Sequence, residues 1–238
     1  MGSAPKIRRG FSLICCIVLV GCSSALRWTP EQYTVKAGDT VYSIAWQYGL
    51  DQRDLAAWNN LEQAGLIYPG QSLRLSPPPG YTSAGSPPKT GSDAPARTAS
   101  TANRSRKPAP GPAQSVASWQ WPTDGAVISA YGASAKTQSG IQIGGRKRQP
   151  IYAAAAGEVV YSGSGLPGYG ELVIIKHNAD YLSAYGHNDS LLVKEGEQVR
   201  LGQRIAQMGN GPDQRPLLHF EIRRHGQPVN PIKYLPRK

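Results

Sequence analysis

The residues that could carry chemistry lie in two short stretches near the C-terminus, Gln138-Ser139-Gly140-Ile141-Gln142 and Leu217-Leu218-His219-Phe220-Glu221. A catalytic zinc ion takes three protein ligands and keeps a fourth position for water. A glutamine amide is uncharged, so Gln138 and Gln142 are unsuited to hold the ion. The four histidines, at positions 177, 187, 219 and 225, show no helical i, i+4 spacing. We therefore expect a site without metal, and the alternative is a zinc site formed by three histidines that are distant in sequence.

The second stretch alternates like a β-strand with an apolar face and a mostly polar face. The two faces consist of Leu218, Phe220 and Ile222, and of Leu217, His219, Glu221 and Arg223. Around the first stretch, Ile141 and the following Ile143 are expected to point inward and to leave Gln138, Gly140 and Gln142 together outside. We expect the outward side chains to share one open surface with Leu217 as its apolar centre.

Both stretches belong to a segment of short alternating runs separated by glycines. The runs are Ala126–Ala130, Pro150–Ala154, Glu158–Tyr161, Leu172–Lys176, Tyr181–Tyr185, Arg204–Met208 and Leu218–Arg223. Because no long helical period intervenes, residues 119–238 are predicted to form a mainly antiparallel all-β domain.

A smaller module at residues 33–75 is predicted to have the order β-α-α-β. Residues 33–36 alternate like a strand, residues 41–48 carry apolar side chains at helical spacing, and residues 72–75 form a return strand. Asp39 is predicted to cap the first helix, Gly49 to end it and Asp51 to cap the second. Residues 76–118, rich in Pro, Ser and Ala, are predicted to be a disordered linker. The fold class is therefore α+β with several domains.

The N-terminus has the features of an export signal at residues 1–21, a basic start followed by the apolar run Phe11–Val20. The next segment, Leu19-Val20-Gly21-Cys22, resembles the bacterial lipobox, which implies cleavage before Cys22 and lipid attachment there. Residues 22–32 then form a lipidated tether, and Ser23 favours the outer membrane. All three cysteines lie in or beside the signal, so the mature chain is predicted to have no disulfide.

The formal net charge is +11, from 26 basic and 15 acidic residues. An exported lipoprotein does not meet chromosomal DNA, so we expect no nucleic-acid partner. An anionic envelope polymer or an acidic protein fits the charge, and ordinary solvated surface charge is the alternative.

The module at residues 33–75 resembles a LysM domain, through Tyr-Thr-Val-Lys-x-Gly-Asp-Thr and Tyr-Pro-Gly-Gln-x-Leu. The resemblance implies binding to glycans that contain N-acetylglucosamine, and therefore to peptidoglycan. The implied groove consists of Gly38, Asp39, Thr40, Leu66, Ile67, Tyr68 and Pro69.

The segment from Trp121 to Pro236 resembles the lysostaphin/LytM-type metallopeptidases, which cut peptidoglycan cross-bridges. In that family the two stretches contain His-x-Gly-x-Asp and His-x-His-Phe, which supply three zinc ligands and a catalytic histidine. Here Gln138, Gln142 and Leu217 replace two ligands and that histidine, while His219 remains and His187 occupies a second catalytic position. The resemblance implies a domain with no metal, no cofactor and no enzymatic activity.

The whole chain resembles the NlpD-like murein hydrolase activators, lipoproteins of Gram-negative bacteria that face the periplasm from the outer membrane. The resemblance implies activation of N-acetylmuramoyl-L-alanine amidases at the division septum during daughter-cell separation. The vacated cleft is then the predicted amidase-binding surface, formed by Gln138, Gln142, Tyr185, His187, Leu217 and His219. The alternatives are drifted surface positions in a wall-anchoring lipoprotein, and an active endopeptidase with an unusual metal site.

Overall fold

The computed structural model describes residues 30–61, 65–81, 116–134 and 138–237. The α+β organisation is confirmed, with a small module that contains both helices and a mainly antiparallel β-domain. The predicted signal peptide, Cys22 and residues 82–115 of the linker lie outside the described residues. Within the described ranges, no helix is long and apolar enough to cross a membrane.

The small module has the predicted β-α-α-β order. Strand β1 (Gln32–Thr34) pairs antiparallel with β2 (Ser72–Arg74), and helices α1 (Val41–Tyr48) and α2 (Gln52–Trp58) lie between them in sequence. Its buried apolar core consists of Tyr33, Val35, Val41, Ile44, Ala45, Leu55, Leu73 and Leu75. These buried side chains follow the strand and helix periodicities from which the sequence analysis predicted the strands and helices of the module.

Helix α1 is capped by Thr40, and the prediction of Asp39 as its cap is wrong. Thr40 Oγ1 accepts a hydrogen bond from Ser43 N at 3.0 Å, and Ser43 Oγ accepts one from Thr40 N at 2.9 Å. The Asp39 carboxylate instead accepts from Lys36 N and from the Tyr33 hydroxyl, both at 2.8 Å. It therefore stabilises the turn before the helix.

The other two predicted helix boundaries are confirmed. Gly49 ends α1 with φ of 67°, a left-handed conformation that glycine adopts without a side-chain penalty. Asp51 caps α2, where its carboxylate accepts from Arg53 N at 2.8 Å.

Within the described residues, the β-domain contains ten strands. They are β3 (Val127–Ser129), β4 (Ile141–Gly144), β5 (Pro150–Tyr152), β6 (Gly157–Gly163), β7 (Glu171–Lys176), β8 (Tyr181–Leu191), β9 (Gln198–Val199), β10 (Arg204–Met208), β11 (Leu217–Arg224) and β12 (Gln227–Val229). The main path of the sheet is β3-β4-β11-β8-β7-β6-β9, while β10 pairs with β5 and β8 and β12 pairs with β11. All seven predicted runs form strands.

Strand β11 lies in the middle of the sheet, between β4 and β8. Leu218, Phe220 and Ile222 have no exposed surface and belong to the main apolar core, as the alternation predicted. Phe220 lies opposite both Ile141 of β4 and Tyr185 of β8. The two stretches that the sequence analysis singled out, at residues 138–142 and 217–221, therefore meet through the neighbouring strands β4 and β11.

The small module packs against the β-domain. Trp46 of α1 is 3% exposed and joins an apolar cluster with Val160, Tyr161, Leu166, Leu172, Ile174, Leu182 and Ala184. This cluster is distinct from the main core of the β-domain. Apolar side chains from strands β6, β7 and β8 therefore contribute to two separate buried clusters.

Candidate functional site

A cleft of about 210 Å³ lies where β4, β8 and β11 meet two loops. Its lining consists of Ser139, Gln142, Pro167, Gly168, Tyr169, His187, Pro212 and His219. The register explains how the strands supply it, because His219 lies opposite Gln142 on β4 and opposite Gly186 on β8. Residues distant in sequence thus converge on one small polar space.

The carboxylate of Glu221 organises the floor of this cleft. Its Oε1 lies 2.9 Å from His219 Nε2 and accepts hydrogen bonds from Ser139 Oγ and the Tyr169 hydroxyl, both at 2.8 Å. Its Oε2 accepts from Arg223 Nε at 3.0 Å. Burial alone raises the pKa of Glu221, but the charge of Arg223 and the hydrogen bonds from His219 and Ser139 outweigh it, so the pKa lies below its ordinary value.

The position of Glu221 assigns the tautomer of His219. A charged carboxylate only accepts hydrogen bonds, so Nε2 of a neutral His219 carries the proton. Its Nδ1 atom is buried and has no hydrogen-bond partner within the part of the chain that the structure describes. In this neutral form Nδ1 is a buried acceptor with no described partner.

His187 forms the opposite side of the cleft, with its ring centroid 6.2 Å from that of His219. Burial lowers the pKa of His187 to about 4, with a smaller contribution from His219. It is therefore neutral near pH 7. Its φ of 62° is unusual for a residue with a side chain, and such backbone conformations cluster at functional sites.

The donors of the cleft do not fit a catalytic zinc ion. Gln138 and Gln142 offer uncharged amides, and Gln138 is exposed at the edge of the β-domain. Among the described residues, no group of three His, Cys, Asp or Glu side chains is arranged to hold a metal ion. His219 is hydrogen-bonded to a carboxylate that also pairs with Arg223, which makes this an internal polar network.

Three of the six residues predicted to form the cleft line it, namely Gln142, His187 and His219. The prediction that Tyr185 faces the cleft is wrong. Tyr185 has no exposed surface, and its hydroxyl accepts a hydrogen bond from Ala154 N at 2.8 Å in the core. Strand β8 is irregular here, since Val173 pairs with Tyr185 but Glu171 pairs with Asn188. This extra residue breaks the alternation, so His187 and Tyr185 face different sides.

Leu217 is also placed differently from the prediction of an open apolar centre. It is 5% exposed and packs against the loop at Gly211, where an added Cβ would lie 2.7 Å from Leu217 Cδ2. The rest of its face is buried as well, with Glu221 at 0% and Arg223 at 5% exposure. The alternation identified the two faces of β11 but not what covers the second one.

Sequence reasoning missed Ser139, Tyr169 and Glu221 as members of the site. Glu221 was placed on the correct face by strand alternation, but its central role depends on contacts from two other segments, at Ser139 and Tyr169. Tyr169 belongs to the loop between β6 and β7, and its hydroxyl meets Glu221 52 positions away in sequence. A glutamate on the same strand face as His219 was the one available signal.

The predicted glycan groove has both exposed and internally engaged residues. Leu66 and Tyr68 are 65% and 62% exposed, and Pro69 and Gly38 are exposed as well. Ile67 packs against the core of the module, while the Asp39 and Thr40 side chains hold the start of α1. Free apolar surface in this region therefore comes from Leu66 and Tyr68.

The two parts of the fold match known protein classes. Residues 33–76 match the LysM domain, and residues 136–231 match Peptidase family M23. The protein thus combines a wall-binding module with a domain of the peptidase M23 type, which supports a peptidoglycan-related role. A zinc-containing peptidase from Vibrio cholerae aligns with 50% of this chain and 41% of its own length, at 28% identity and a TM-score of 0.45.

Relatives extend over nearly the whole chain. The lipoprotein NlpD/LppB homolog of Pseudomonas aeruginosa PAO1 is 41% identical over 94% of this chain and 90% of its own length. The murein hydrolase activator NlpD of Escherichia coli K12 is 38% identical over 89% of this chain and 69% of its own length. The outer membrane antigenic lipoprotein B of Haemophilus influenzae Rd is 36% identical over 86% of this chain and 64% of its own length. The chain belongs to the NlpD/LppB family of envelope lipoproteins.

Proposed function

We propose that this protein is a non-catalytic activator of N-acetylmuramoyl-L-alanine amidases. It binds peptidoglycan through the LysM module and the amidase through the cleft, and it acts in septal peptidoglycan splitting from the outer membrane. The observation that carries the proposal is an intact M23-type fold in which Gln138, Gln142 and Leu217 occupy positions of metal ligands and a catalytic histidine. The name of the Escherichia coli relative, a murein hydrolase activator, supports the same conclusion.

The chemistry of the cleft suits recognition of a protein group. His219 Nδ1 and the Gln142 amide supply hydrogen-bonding atoms at its wall, and the neutral His187 completes the opposite side. A buried acceptor without a partner costs free energy, which a donor from a bound protein recovers. The cleft of about 210 Å³ is large enough for one or two side chains, so it accepts an anchor residue of the partner.

Activation then follows from differential binding. An activator opens a blocked amidase only to the extent that it binds the open state more tightly than the closed state. No proton transfer or metal chemistry by this chain is needed, because the hydrolytic groups belong to the amidase. The purified chain is accordingly expected to release no peptidoglycan fragments by itself, even with added zinc.

The test is dye release from labelled sacculi by a purified amidase in the presence of soluble residues 23–238. The double variant Gln142→Ala, His187→Asn changes two walls of the cleft, and asparagine tolerates the positive φ at position 187. We expect half-maximal activation to need at least about tenfold more of the variant, a loss of about 1.4 kcal/mol in binding.

The matched control is Gln198→Ala, at an exposed position on the edge strand β9. It should activate the amidase like the wild type. Full activation by the folded double variant would place the partner surface elsewhere. Release of fragments by the wild type without amidase would instead indicate an active peptidase.

A further inference from the structure

Trp46 belongs to the LysM module in sequence but to the β-domain in packing. The module's own core comprises eight residues in or directly after its strands and helices, and Trp46 is absent from that cluster. Its indole instead packs with seven buried residues of the β-domain. Because Trp side chains are enriched at interfaces, this burial identifies Trp46 as the side chain through which the module contacts the β-domain.

Polar contacts around Trp46 fix the orientation of the module on the β-domain. Gln227 Nε2 donates to Gly49 O at 2.7 Å, and Thr40 Oγ1 donates to Val160 O at 3.3 Å. Arg53 lies 3.7 Å from the Asp180 carboxylate and 2.7 Å from the His225 ring. Contacts therefore come from both helices of the module and their preceding turns.

The turn between β11 and β12 fits closely against the module. Gly226 has φ of 72°, and an added Cβ there would lie 2.2 Å from Leu50 O. A side chain at this position would collide with the backbone between α1 and α2. This close fit of the two backbones indicates a specific interface between the module and the β-domain.

Arg223 connects this interface to the cleft. Its guanidinium lies 3.6 Å from the centre of the Trp46 ring, and its Nη1 donates to Trp46 O at 2.6 Å. Its Nε donates to Glu221, the carboxylate that holds His219. Tyr169 reinforces the link, because its hydroxyl contacts Glu221 at 2.8 Å and Arg223 at 3.3 Å while the same residue lines the cleft.

We propose that the LysM module docks on the β-domain beside the cleft, and that Arg223 is the positioning residue that transmits docking to Glu221 and His219. The physical reason is that Trp46 keeps water from the Arg223 guanidinium. An undocked module exposes this cation to water, which competes with Glu221 for its hydrogen bonds and loosens the orientation of His219. The amidase-binding part of this inference rests on the proposed function, while the docking itself does not.

The covalent connection favours the docked state. The module and the β-domain belong to one chain, so docking is intramolecular and has a higher effective concentration than association of two separate molecules. An interface of modest intrinsic affinity is then largely occupied. By thermodynamic linkage, any ligand that binds the docked cleft more tightly also stabilises docking, and release of the module weakens that ligand's binding.

The test compares Trp46→Ala with the matched control Trp58→Ala in soluble residues 23–238. Trp58 is in the same module but contacts Tyr81 rather than the β-domain cluster. Small-angle scattering reports docking through the radius of gyration. The ¹⁵N chemical shifts of the His219 imidazole report its tautomer and hydrogen bonds. Pelleting with sacculi verifies that the LysM module of each variant is folded.

We expect Trp46→Ala to increase the radius of gyration and to shift the His219 signals, while sacculus pelleting is retained. Trp58→Ala should leave the scattering and the His219 signals unchanged. Trp46→Phe, which keeps an aromatic face for Arg223, should restore the His219 signals at least in part. Arg223→Lys should shift them even if the module stays docked, because lysine lacks the planar fork.

An unchanged radius of gyration for folded Trp46→Ala would overturn docking through this residue. A larger radius with unchanged His219 signals would overturn the transmission to the cleft. Amidase affinity is measured separately on the same variants, and we expect at least threefold weaker binding for Trp46→Ala. If no form binds an amidase, the proposed function fails, while scattering and His219 signals still decide this inference.

Discussion

Glu221 is the residue on which the interior of the cleft depends. One carboxylate receives hydrogen bonds from Ser139, Tyr169 and His219 and pairs with Arg223, although it has no exposed surface. A buried charge is tolerated when it is paired and fully hydrogen-bonded. The arrangement orients His219 through protein atoms alone, so the cleft keeps a defined shape with donors that do not fit zinc.

Glu221→Gln is expected to lower the free energy of unfolding by about 3–5 kcal/mol at pH 7, because it leaves Arg223 buried without its counter-charge. Urea denaturation measures this change, and Glu197→Gln at an exposed turn is the control. The lowered pKa of Glu221 sets the sign of the pH dependence. Its stabilisation is complete above the ordinary carboxyl pKa and is lost as pH falls through the lowered folded-state pKa. A Gln variant as stable as the wild type would contradict this account of the network.

At the scale of elements, the loop at residues 65–70 and the start of α1 have different roles in the LysM module. Asp39 and Thr40 hold the helix start, so changing them alters folding as well as any glycan contact. Leu66 and Tyr68 expose most of their surface. Aromatic and apolar side chains of this kind suit the faces of sugar rings.

The double change Leu66→Ser, Tyr68→Ala is therefore expected to reduce sedimentation of the protein with purified sacculi by at least about tenfold in affinity. The module should remain folded, which circular dichroism and thermal unfolding would verify. The comparison variant is Thr40→Ala, expected to destabilise the module by about 1 kcal/mol through loss of the helix cap. Undiminished pelleting of the double variant would exclude Leu66 and Tyr68 from the glycan surface.

Strand β11 is the element that joins the two functional regions. Its first half supplies Leu217 and His219 near the cleft, and its second half supplies Arg223 beneath the LysM module. Seven of its eight residues are buried, because the main core covers one face and the module with the loop at Tyr169 covers the other. The transmission that we propose from the module to the cleft therefore runs along a single buried strand.

For the whole molecule, the lipid anchor that we predict and the glycan binding that we propose for the LysM module would together hold the β-domain between the membrane and the wall. The lipobox ending at Cys22 and the family relationship support an envelope lipoprotein, and Ser23 favours the outer membrane. The docked arrangement would carry the cleft close to the peptidoglycan strands that LysM binds. An amidase bound at the cleft would then lie close to its peptidoglycan substrate.

Cys22→Ser is expected to block lipid attachment and signal cleavage, because the thiol is the group that receives the diacylglycerol. The variant should accumulate as an unprocessed form at the inner membrane, detected by its larger mass and by the absence of incorporated labelled palmitate. The wild type should sediment with outer-membrane markers in a density gradient. Wild-type protein in inner-membrane fractions would contradict the sorting inferred from Ser23.

The sequence by itself determined the two modules, the seven predicted strands of the β-domain and the core face of β11. Those features follow from local periodicity, since Leu218, Phe220 and Ile222 must share a face of any regular strand. The unsuitability of Gln138 and Gln142 as zinc ligands was equally visible, because residue type fixes ligand chemistry, while the family resemblance supplied their correspondence to ligand positions.

Only the tertiary structure decided which side chains meet. A bulge in β8 separates Tyr185 from His187, and the loop at Gly211 covers Leu217, so neither side chain contributes the open cleft surface that alternation predicted. Glu221, Tyr169 and Trp46 come from segments far apart in sequence and acquire their roles through contacts across the sheet. Local patterns record the period of each element, whereas the coverage of a face depends on packing between distant elements.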